Sequence, residues 1–225
     1  MIRFTHVYKE YPRSGPALTD VNFHLRKGEF CFMTGHSGAG KSTLLRLIHM
    51  AERPSRGEVR VSGYSSSSIR QREIAMLRRK IGYIFQNYLL LPNRTAGDNV
   101  GFALEVTGAR RAVTKMKVGK LLAMVGLAAK SEAYPYELSG GEQQRVAVAR
   151  SLVHDPLVLL ADEPTGNLDE RTTRGIFDLI RSINTAGTAV LFATHNLELV
   201  RANPQFRVIE LDHGAIVYDS APAEV

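Results

Sequence analysis

The sequence of 225 residues has a single cysteine, Cys31, and no apolar run that approaches the roughly 18 residues of a membrane-spanning helix. One cysteine rules out an internal disulfide and a cysteine-rich metal cage, and Cys31 is interpreted as a small buried core residue. Residues 1–6 show neither a long apolar core nor a small-residue cleavage site. We therefore expect no secretory signal and a cytoplasmic location.

The composition is that of a folded protein, with 44% hydrophobic and 23% charged residues. The length predicts one domain with a sizeable core. Basic residues exceed acidic residues by 29 − 22 = 7. This excess indicates an anionic partner, for which nucleic acid, a membrane surface and a phosphate-rich ligand are the alternatives.

Short apolar runs rich in β-branched and aromatic residues alternate with helical patterns, which predicts an α/β fold. The later runs are continuously apolar, as is typical of parallel strands buried on both faces. Between residues 95 and 153 the strand signals disappear, and helical stretches at 112–125 and 141–153 predict a helical insertion. The serines at 65–68 predict a surface turn. The predicted strands are residues 2–7, 21–25, 30–34, 58–61, 81–85, 157–161, 189–194 and 206–211.

Residues 35–42 fit the phosphate-loop pattern G-x-x-x-x-G-K-[ST], between the predicted strand 30–34 and a helical run at 43–50. Glycines let the backbone curl so that its N–H groups face a polyphosphate, and the helix N-terminus adds partial positive charge. We expect Lys41 to reach the β- and γ-phosphates and the Ser42 hydroxyl to bind Mg²⁺. A chance glycine-rich turn is the alternative, and the flanking strand and helix argue against it. The predicted nucleotide-binding residues of this segment are Gly35, Ser37, Gly38, Gly40, Lys41, Ser42 and Thr43.

A pair of acids, Asp162 and Glu163, directly follows the apolar run 157–161. Such a strand places both acids at the carboxyl edge of a parallel sheet, where ligands bind in open α/β folds. Asp162 is suited to hold Mg²⁺ through its water shell, and Glu163 to orient and deprotonate an attacking water. An isolated pair would more simply be a solvated strand end. The phosphate loop earlier in the chain favours the functional interpretation.

Residues 138–145 have the sequence Leu-Ser-Gly-Gly-Glu-Gln-Gln-Arg, which resembles the signature of the ATP-binding-cassette (ABC) ATPases. A helix N-cap would explain Ser139 but not the whole string. In that family, the signature helix points its N-terminus at the γ-phosphate held by the other subunit. The resemblance therefore implies a head-to-tail homodimer, in which Ser139 and Gly141 of each subunit complete the ATP site of the other.

Further family elements occur in the family's order. Gln86 matches the glutamine that contacts Mg²⁺ and the attacking water, and Asp169 matches the key acid of the loop that couples the two sites. His195 matches the histidine that contacts the γ-phosphate, although a lone histidine at a strand end is more often structural. Tyr11 matches the ring that stacks on adenine. Tyr8 is the alternative stacking ring, and simple packing would explain either tyrosine.

The resemblance covers essentially the whole chain and implies an ATPase that uses ATP and Mg²⁺. It implies a phosphate-loop NTPase fold of the ABC nucleotide-binding type, with a mixed-sheet core, an N-terminal antiparallel β subdomain and an inserted helical subdomain. The predicted boundaries, within one domain of residues 1–225, are 1–86 and 156–225 for the core and 87–155 for the helical signature subdomain. The resemblance assigns catalysis to Lys41, Gln86, Glu163 and His195, and metal binding to Ser42, Gln86 and Asp162.

The length and composition of the cassette indicate the class of its partner. Family members that act on nucleic acid carry coiled coils or DNA-binding insertions between the phosphate loop and the signature, whereas the 139 − 41 = 98 positions from Lys41 to Ser139 hold no sustained heptads. We therefore expect no nucleic-acid partner. A short single cassette fits the members that couple to a membrane protein in another chain.

Within those members, residues 35–45 and 160–169 are similar to the cell-division branch. That similarity implies an integral membrane partner with four transmembrane helices and a location at the cytoplasmic face of the membrane. A lipoprotein-releasing or drug-exporting cassette is the main alternative. A scaffold that barely hydrolyses ATP is a third interpretation.

Two basic clusters flank helical stretches. A solvated charged face is the favoured interpretation, and attraction to the anionic cytoplasmic leaflet is the alternative. The clusters are Arg70, Arg72, Arg78, Arg79 and Lys80, and Arg110, Arg111, Lys115, Lys117 and Lys120.

Overall fold

Two sheets organise the chain in a computed structural model, which describes residues 1–221. Within these residues the strands are β1 (Ile2–Tyr11), β2 (Gly15–Leu25), β3 (Phe30–Thr34), β4 (Arg56–Val61), β5 (Tyr64–Ser65), β6 (Ile81–Ile84), β7 (Val158–Asp162), β8 (Ala189–Ala193), β9 (Arg207–Asp212) and β10 (Ala215–Asp219). The helices are α1 (Lys41–Ile48), α2 (Gln71–Arg79), α3 (Ala96–Val106), α4 (Arg111–Met124), α5 (Gly140–Ser151), α6 (Glu170–Thr185) and α7 (Leu197–Arg201).

The larger sheet has the strand order β10-β9-β3-β8-β7-β6, and only β10 runs antiparallel to its neighbour. Every residue of β3 and β8 is buried, as expected for strands that are covered on both faces. Side chains alternate between the two faces, so Cys31 and Phe32 belong to different core clusters. The prediction that Cys31 is a buried core residue is confirmed, and burial raises the pKa of its thiol.

The smaller sheet has the order β2-β1-β4-β5 and is antiparallel throughout. Its buried side chains, among them Phe4, Val21 and Val59, join the same core cluster as Leu44 and Leu47 of α1. The predicted antiparallel N-terminal subdomain is therefore present. It covers the helix that follows the phosphate loop.

The helices α3, α4 and α5 follow β6 and precede β7 along the chain, and they pack on one another. Their buried faces include Val100, Leu121 and Val148, which share a cluster with Phe192 of the larger sheet. The predicted helical insertion is thus present and is tied to the core. In the described part of the chain, no helix combines the length and the apolarity needed to cross a membrane.

Several predicted boundaries are wrong by a few residues. The first two strands are longer than predicted because β-bulges let the pairing of β1 with β2 continue to Tyr11 and Gly15. The first helix begins at Lys41 rather than at residue 43, directly after the left-handed Gly40. The strands β5 and β10 and the helices α3, α6 and α7 were not predicted. The strand β3 has the predicted ends, and the ends of β4 and of β6 to β9 lie within two residues of the predicted ones.

The predicted surface turn at residues 65–68 is also wrong in part. Ser65 pairs with Arg60 as the end of β5, and Ser66 is only 3% exposed. The Ser66 hydroxyl accepts a hydrogen bond from the backbone N–H of Val59 at 3.0 Å. The serine hydroxyl thus satisfies a buried backbone N–H at the edge of a short strand. A run of small polar residues in the sequence does not predict this contact.

Asn99 fastens the loop between β6 and α3. It is completely buried, and its amide oxygen accepts from the backbone N–H of Leu91 at 2.7 Å. Its amide nitrogen lies within 3.1 Å of the carbonyl oxygens of Leu91, Arg94 and Thr95. One side chain therefore holds the segment that joins the sheet to the helical unit.

We expect Asn99→Ala to lower the free energy of unfolding by about 2–3 kcal/mol, because buried backbone groups lose their partners. Urea unfolding of the nucleotide-free chain measures the change. Asn87→Ala is the matched control, because Asn87 lies exposed on the same loop and its loss should change stability by less than about 0.5 kcal/mol. Equal effects of the two substitutions would contradict the role given to Asn99.

Candidate functional site

A cleft of about 530 Å³ lies at the carboxyl ends of the parallel strands. Five sequence segments meet there: the first part of β2, the loop after β3 with the start of α1, and the residues after β6, β7 and β8. This is the edge at which open α/β sheets bind ligands. The cleft is lined by Ala17, Ser37, Gly38, Gly40, Lys41, Ser42, Thr43, Arg46, Gln86, Glu163 and His195.

The loop after β3 needs glycine at its two ends. At Gly35, with φ 139°, a Cβ atom would lie 2.3 Å from the carbonyl oxygen of Leu211. At Gly40, with φ 108°, it would lie 2.8 Å from that of Ala17. The loop is thus pressed against two other segments. The helix α1 begins at its end without a side-chain cap, so its first N–H groups are available to an anion.

Lys41 is 8% exposed and lies beneath this loop. Its ammonium donates to the carbonyl oxygens of Gly35 at 2.6 Å and of His36 at 3.1 Å. It also lies 3.7 Å from Oε1 of Glu163. The cation therefore lies between the loop that curls around it and the acid that follows β7, and its predicted contact with the β- and γ-phosphates stays a prediction.

Asp162 ends β7 and accepts two hydrogen bonds. The Ser42 hydroxyl donates to its Oδ1 at 3.3 Å, and the Tyr83 hydroxyl donates to its Oδ2 at 3.3 Å. Burial raises the pKa of Asp162, and these two hydrogen bonds oppose the rise. A hydroxyl and a carboxylate are hard oxygen ligands of the kind that Mg²⁺ takes in proteins, so the residues present fit this ion.

Glu163 is 9% exposed and has a left-handed backbone, with φ 49°. Such a conformation is strained in a residue other than glycine. It is held by a hydrogen bond from its own N–H to the carbonyl oxygen of Ala193 at 3.1 Å and by one from Gly166 N–H to its carbonyl oxygen. The strained backbone directs the carboxylate back into the cleft.

His195 is paired with this carboxylate. Its Nδ1 lies 2.9 Å from Oε2 of Glu163, and its backbone N–H donates to the same oxygen at 3.3 Å. The histidine side chain is 64% exposed, so one edge of the ring faces the carboxylate while much of the ring faces solvent. Gln86 also lines the cleft, two residues beyond the end of β6.

The signature residues lie elsewhere. Ser139 caps α5 by accepting from the Glu142 N–H at 3.3 Å, and the Glu142 carboxylate accepts in return from the Ser139 N–H at 2.9 Å. Neither Ser139 nor Gly141 lines the cleft of its own chain. A Cβ atom at Gly141 would lie 2.5 Å from Cγ2 of Thr172, in the first turn of α6.

Asp169 lies beside this signature face. It caps α6 by accepting from the Thr172 N–H at 2.9 Å and from the Thr172 hydroxyl at 2.6 Å. These hydrogen bonds, led by the one from the hydroxyl, lower the pKa of Asp169. Thr172 therefore links the predicted coupling loop to the signature helix within one chain.

Both candidate adenine-stacking tyrosines lie on β1 outside the lining of the cleft. The Lys9 ammonium lies 5.0 Å from the centre of the Tyr11 ring, and the Arg56 guanidinium lies 4.4 Å from that of Tyr8. Each ring already has a cationic neighbour. Adenine stacking on Tyr11 stays a prediction.

Sequence reasoning missed Tyr83 and Arg46. Arg46 lies one helical turn after Ser42 on α1, so helical periodicity was a signal that could have placed it on the cleft. Tyr83 reaches Asp162 across the neighbouring strands β6 and β7. No local pattern reveals that contact, because it depends on which strands are neighbours.

The comparisons with known proteins agree with this geometry. Residues 18–166 match the family model described as ABC transporter. The chain therefore belongs to the ABC transporter ATPase family, and the predicted family, fold class and ATPase activity are confirmed. It is the ATP-binding subunit of such a system and hydrolyses ATP.

Among curated relatives, the chain is similar to the proteins named cell division ATP-binding protein FtsE. It is 51% identical over 220 residues to that of Mycobacterium tuberculosis, covering 97% of this chain and 95% of the relative. It is 48% identical to that of Escherichia coli K12, with coverage of 95% and 96%, and 44% identical to that of Bacillus subtilis, with coverage of 100% and 98%.

Among solved structures, the fold matches the ATP-binding cassette MJ0796 in a dimeric post-hydrolysis state bound to ADP and Pi. The TM-score is 0.88, the sequence identity is 32%, and each chain is covered completely. A second dimeric structure of that cassette, titled a bacterial ABC transporter cassette, also matches with a TM-score of 0.88 and 33% identity.

We expect Tyr83→Phe to raise the Mg²⁺ concentration for half-maximal ATP hydrolysis by about two- to fivefold, equivalent to ~0.5–1 kcal/mol. The lost hydrogen bond favours the ionised form of Asp162, whose pKa is already raised by burial. Because protonation competes with the metal, the effect should be larger at pH 6 than at pH 8.

Rates measured against Mg²⁺ at both pH values test this expectation. Tyr134→Phe is the matched control, because Tyr134 is an exposed tyrosine that does not line the cleft. An unchanged Mg²⁺ requirement in Tyr83→Phe at both pH values would show that Tyr83 does not act on Asp162.

Proposed function

We propose that two copies of the chain bind head to tail and enclose two ATP molecules, each copy supplying Ser139 and Gly141 to the nucleotide of the other. The observation that carries this proposal is that the exposed cap of α5 lies outside the cleft of its own chain. The partial positive charge of a helix N-terminus attracts an anion, and the cleft of the same chain does not place a nucleotide beside that of α5. The similarity to dimeric cassettes supports the same arrangement.

Within each site, we assign ATP binding to the phosphate loop and Lys41, whose ammonium would leave its loop carbonyls for the β- and γ-phosphates. Ser42, Gln86 and Asp162 would hold Mg²⁺, which supplies charge neutralisation for the phosphate oxygens. Tyr11 would stack on adenine. Asp169 would couple the two sites through its position beside the signature helix.

Glu163 is the proposed general base, accepting a proton from the water that attacks the γ-phosphate. Two features support the role: its carboxylate is nearly buried, and its strained backbone is fastened to the adjacent strand. His195 would contact the γ-phosphate, and its 2.9 Å contact with Oε2 holds the carboxylate in one orientation. Gln86, which also lines the cleft, would orient the same water.

We further propose a role in bacterial cell division. The similarity to proteins named FtsE supports a membrane partner like FtsX, with four transmembrane helices, at the cytoplasmic face of the membrane. The exposed basic residues Arg111, Lys115 and Lys120 of α4 would favour an anionic leaflet. ATP cycles would then be transmitted across the membrane to activate septal peptidoglycan hydrolases. Lipoprotein release or drug export by the same chemistry is the alternative.

Mixing two inactive variants tests the shared site. Ser139→Asp keeps a helix cap but places negative charge near the γ-phosphate, and Glu163→Gln removes the base, so each variant alone should retain ATP binding and nearly lose turnover. In a mixed dimer, one site has both wild-type groups. An equal mixture should therefore recover about a quarter of the wild-type rate, because half of the dimers hold one complete site.

Steady-state phosphate release measures the recovery. Lys41→Ala mixed with Glu163→Gln is the control, because both changes fall in the same half of the site and should complement one another poorly. A mixture of Ser139→Asp and Glu163→Gln that stays at the level of the separate variants would contradict the proposal that Ser139 acts on the partner's ATP.

Co-expression tests the partner. Together with an FtsX-like membrane protein, we expect the chain to purify from the membrane fraction and its ATPase rate to rise severalfold. The permease of a lipoprotein-releasing complex is the matched control and should do neither. Stimulation by that permease and not by the FtsX-like protein would overturn the cell-division role in favour of the export alternative.

A further inference from the structure

The β9–β10 hairpin packs against the outer side of the phosphate loop. Its turn residues, His213 and Gly214, both have positive φ, which is typical of a tight two-residue hairpin. The Gly214 N–H donates to the carbonyl oxygen of Ala39 in the loop at 3.0 Å. The Leu211 carbonyl lies where a side chain at Gly35 would have to go. The tip of the hairpin is therefore held at a fixed place beside the loop.

This packing gathers three ligand-type side chains. His36 comes from the loop, and Asp212 and His213 come from the hairpin, and one ligand atom of each lies within 4.8 Å of the others. The Nε2 atoms of His36 and His213 lie 3.0 Å and 3.8 Å from Oδ1 of Asp212. None of the three lines the nucleotide cleft.

Both ring nitrogens of His36 face oxygen atoms that accept hydrogen bonds. Its Nδ1 lies 2.6 Å from the carbonyl oxygen of Ser37, and its Nε2 faces the Asp212 carboxylate. A carbonyl and an ionised carboxylate only accept hydrogen bonds, whereas a neutral imidazole has one N–H. When the single N–H of a neutral His36 ring is at Nδ1 and donates to the Ser37 carbonyl, Nε2 has no proton to donate to Asp212. The contact at Nε2 therefore requires either a second proton on the ring or a cation between Nε2 and the carboxylate.

We propose that His36, Asp212 and His213 bind a divalent transition-metal ion, with Zn²⁺ as the representative. Bonds of about 2.0–2.1 Å in a tetrahedral site place neighbouring ligand atoms about 3.3 Å apart, between the two separations seen around Asp212. A metal-bound histidine usually donates its other N–H to a carbonyl or carboxylate, as His36 does to Ser37.

The ligand set separates this site from the Mg²⁺ site at Ser42 and Asp162. Imidazole nitrogens suit Zn²⁺, Cu²⁺ or Ni²⁺ and are poor ligands for Mg²⁺. A metal at these residues would join the phosphate loop to the hairpin. The site goes beyond the proposed function, because neither the shared ATP site nor the membrane partner requires it.

Calorimetric titration of the nucleotide-free chain with ZnCl₂ tests the site. The chain carries no histidine tag and no ATP, because both bind Zn²⁺ themselves. We expect one Zn²⁺ per chain, with an affinity that falls as the pH is lowered, because the ligand nitrogens must be unprotonated. His213→Asn should weaken binding by about tenfold or more, and Asp212→Asn by a similar factor.

His6→Asn is the matched control. His6 also has a positive φ, of 45°, and its Nδ1 lies 2.8 Å from Asp20, but this pair has no third ligand in the described chain. Asparagine tolerates the left-handed backbone at both positions, so neither variant is expected to unfold. Absence of Zn²⁺ binding to the wild-type chain, or equal affinities of the wild-type and His213→Asn chains, would overturn the proposal. Because the readout is metal binding without ATP, either result leaves the ATPase function untouched.

Discussion

The cleft depends on one row of paired residues across the larger sheet. Met33 of β3, Ala193 of β8 and Asp162 of β7 are neighbours in adjacent parallel strands. Since parallel strands end at the same edge, the segments that leave this row meet in space. The phosphate loop follows the first strand, His195 the second and Glu163 the third. The meeting of the phosphate loop, His195 and Glu163 is a consequence of this register.

Charged side chains lie at this edge with little exposure to solvent, among them Lys41 and Glu163. Burial disfavours the ionised form of Asp162, which is offset by hydrogen bonds from Ser42 and Tyr83. The nearly buried Glu163 lies beside the nearly buried Lys41 ammonium and beside the more exposed His195. Such groups keep their positions only if the backbone around them is rigid. The hydrogen bond from the Glu163 N–H to the Ala193 carbonyl of the neighbouring strand holds the left-handed backbone of Glu163 in place.

The signature helix and the predicted coupling loop lie outside the nucleotide cleft of their own chain. The cap of α5 and the cap of α6 meet at Thr172, away from the chain's own nucleotide cleft. The loop fastened by Asn99 connects the sheet to the helices that carry this face. A movement of the helical unit relative to the sheet would therefore change the surface presented to a second chain, without altering the phosphate loop.

The elements whose chemistry lies in contiguous residues were predictable from the order of amino acids alone. The phosphate loop, the acid pair after a buried strand and the signature string were predicted because neighbours along the chain suffice to define them. The alternation of apolar runs and helical patterns predicted the α/β core and most of its strands. The resemblance carried by these motifs supplied Gln86, Asp169 and His195.

The contacts between distant segments, in contrast, depend on how the whole chain folds. The hydrogen bond from Tyr83 to Asp162 depends on β6 lying beside β7, and the approach of His36 to Asp212 depends on β9 lying beside β3. The strained backbone of Glu163 likewise needs the carbonyl of Ala193. Strand order and register arise from packing the whole core at once, so no local pattern contains them.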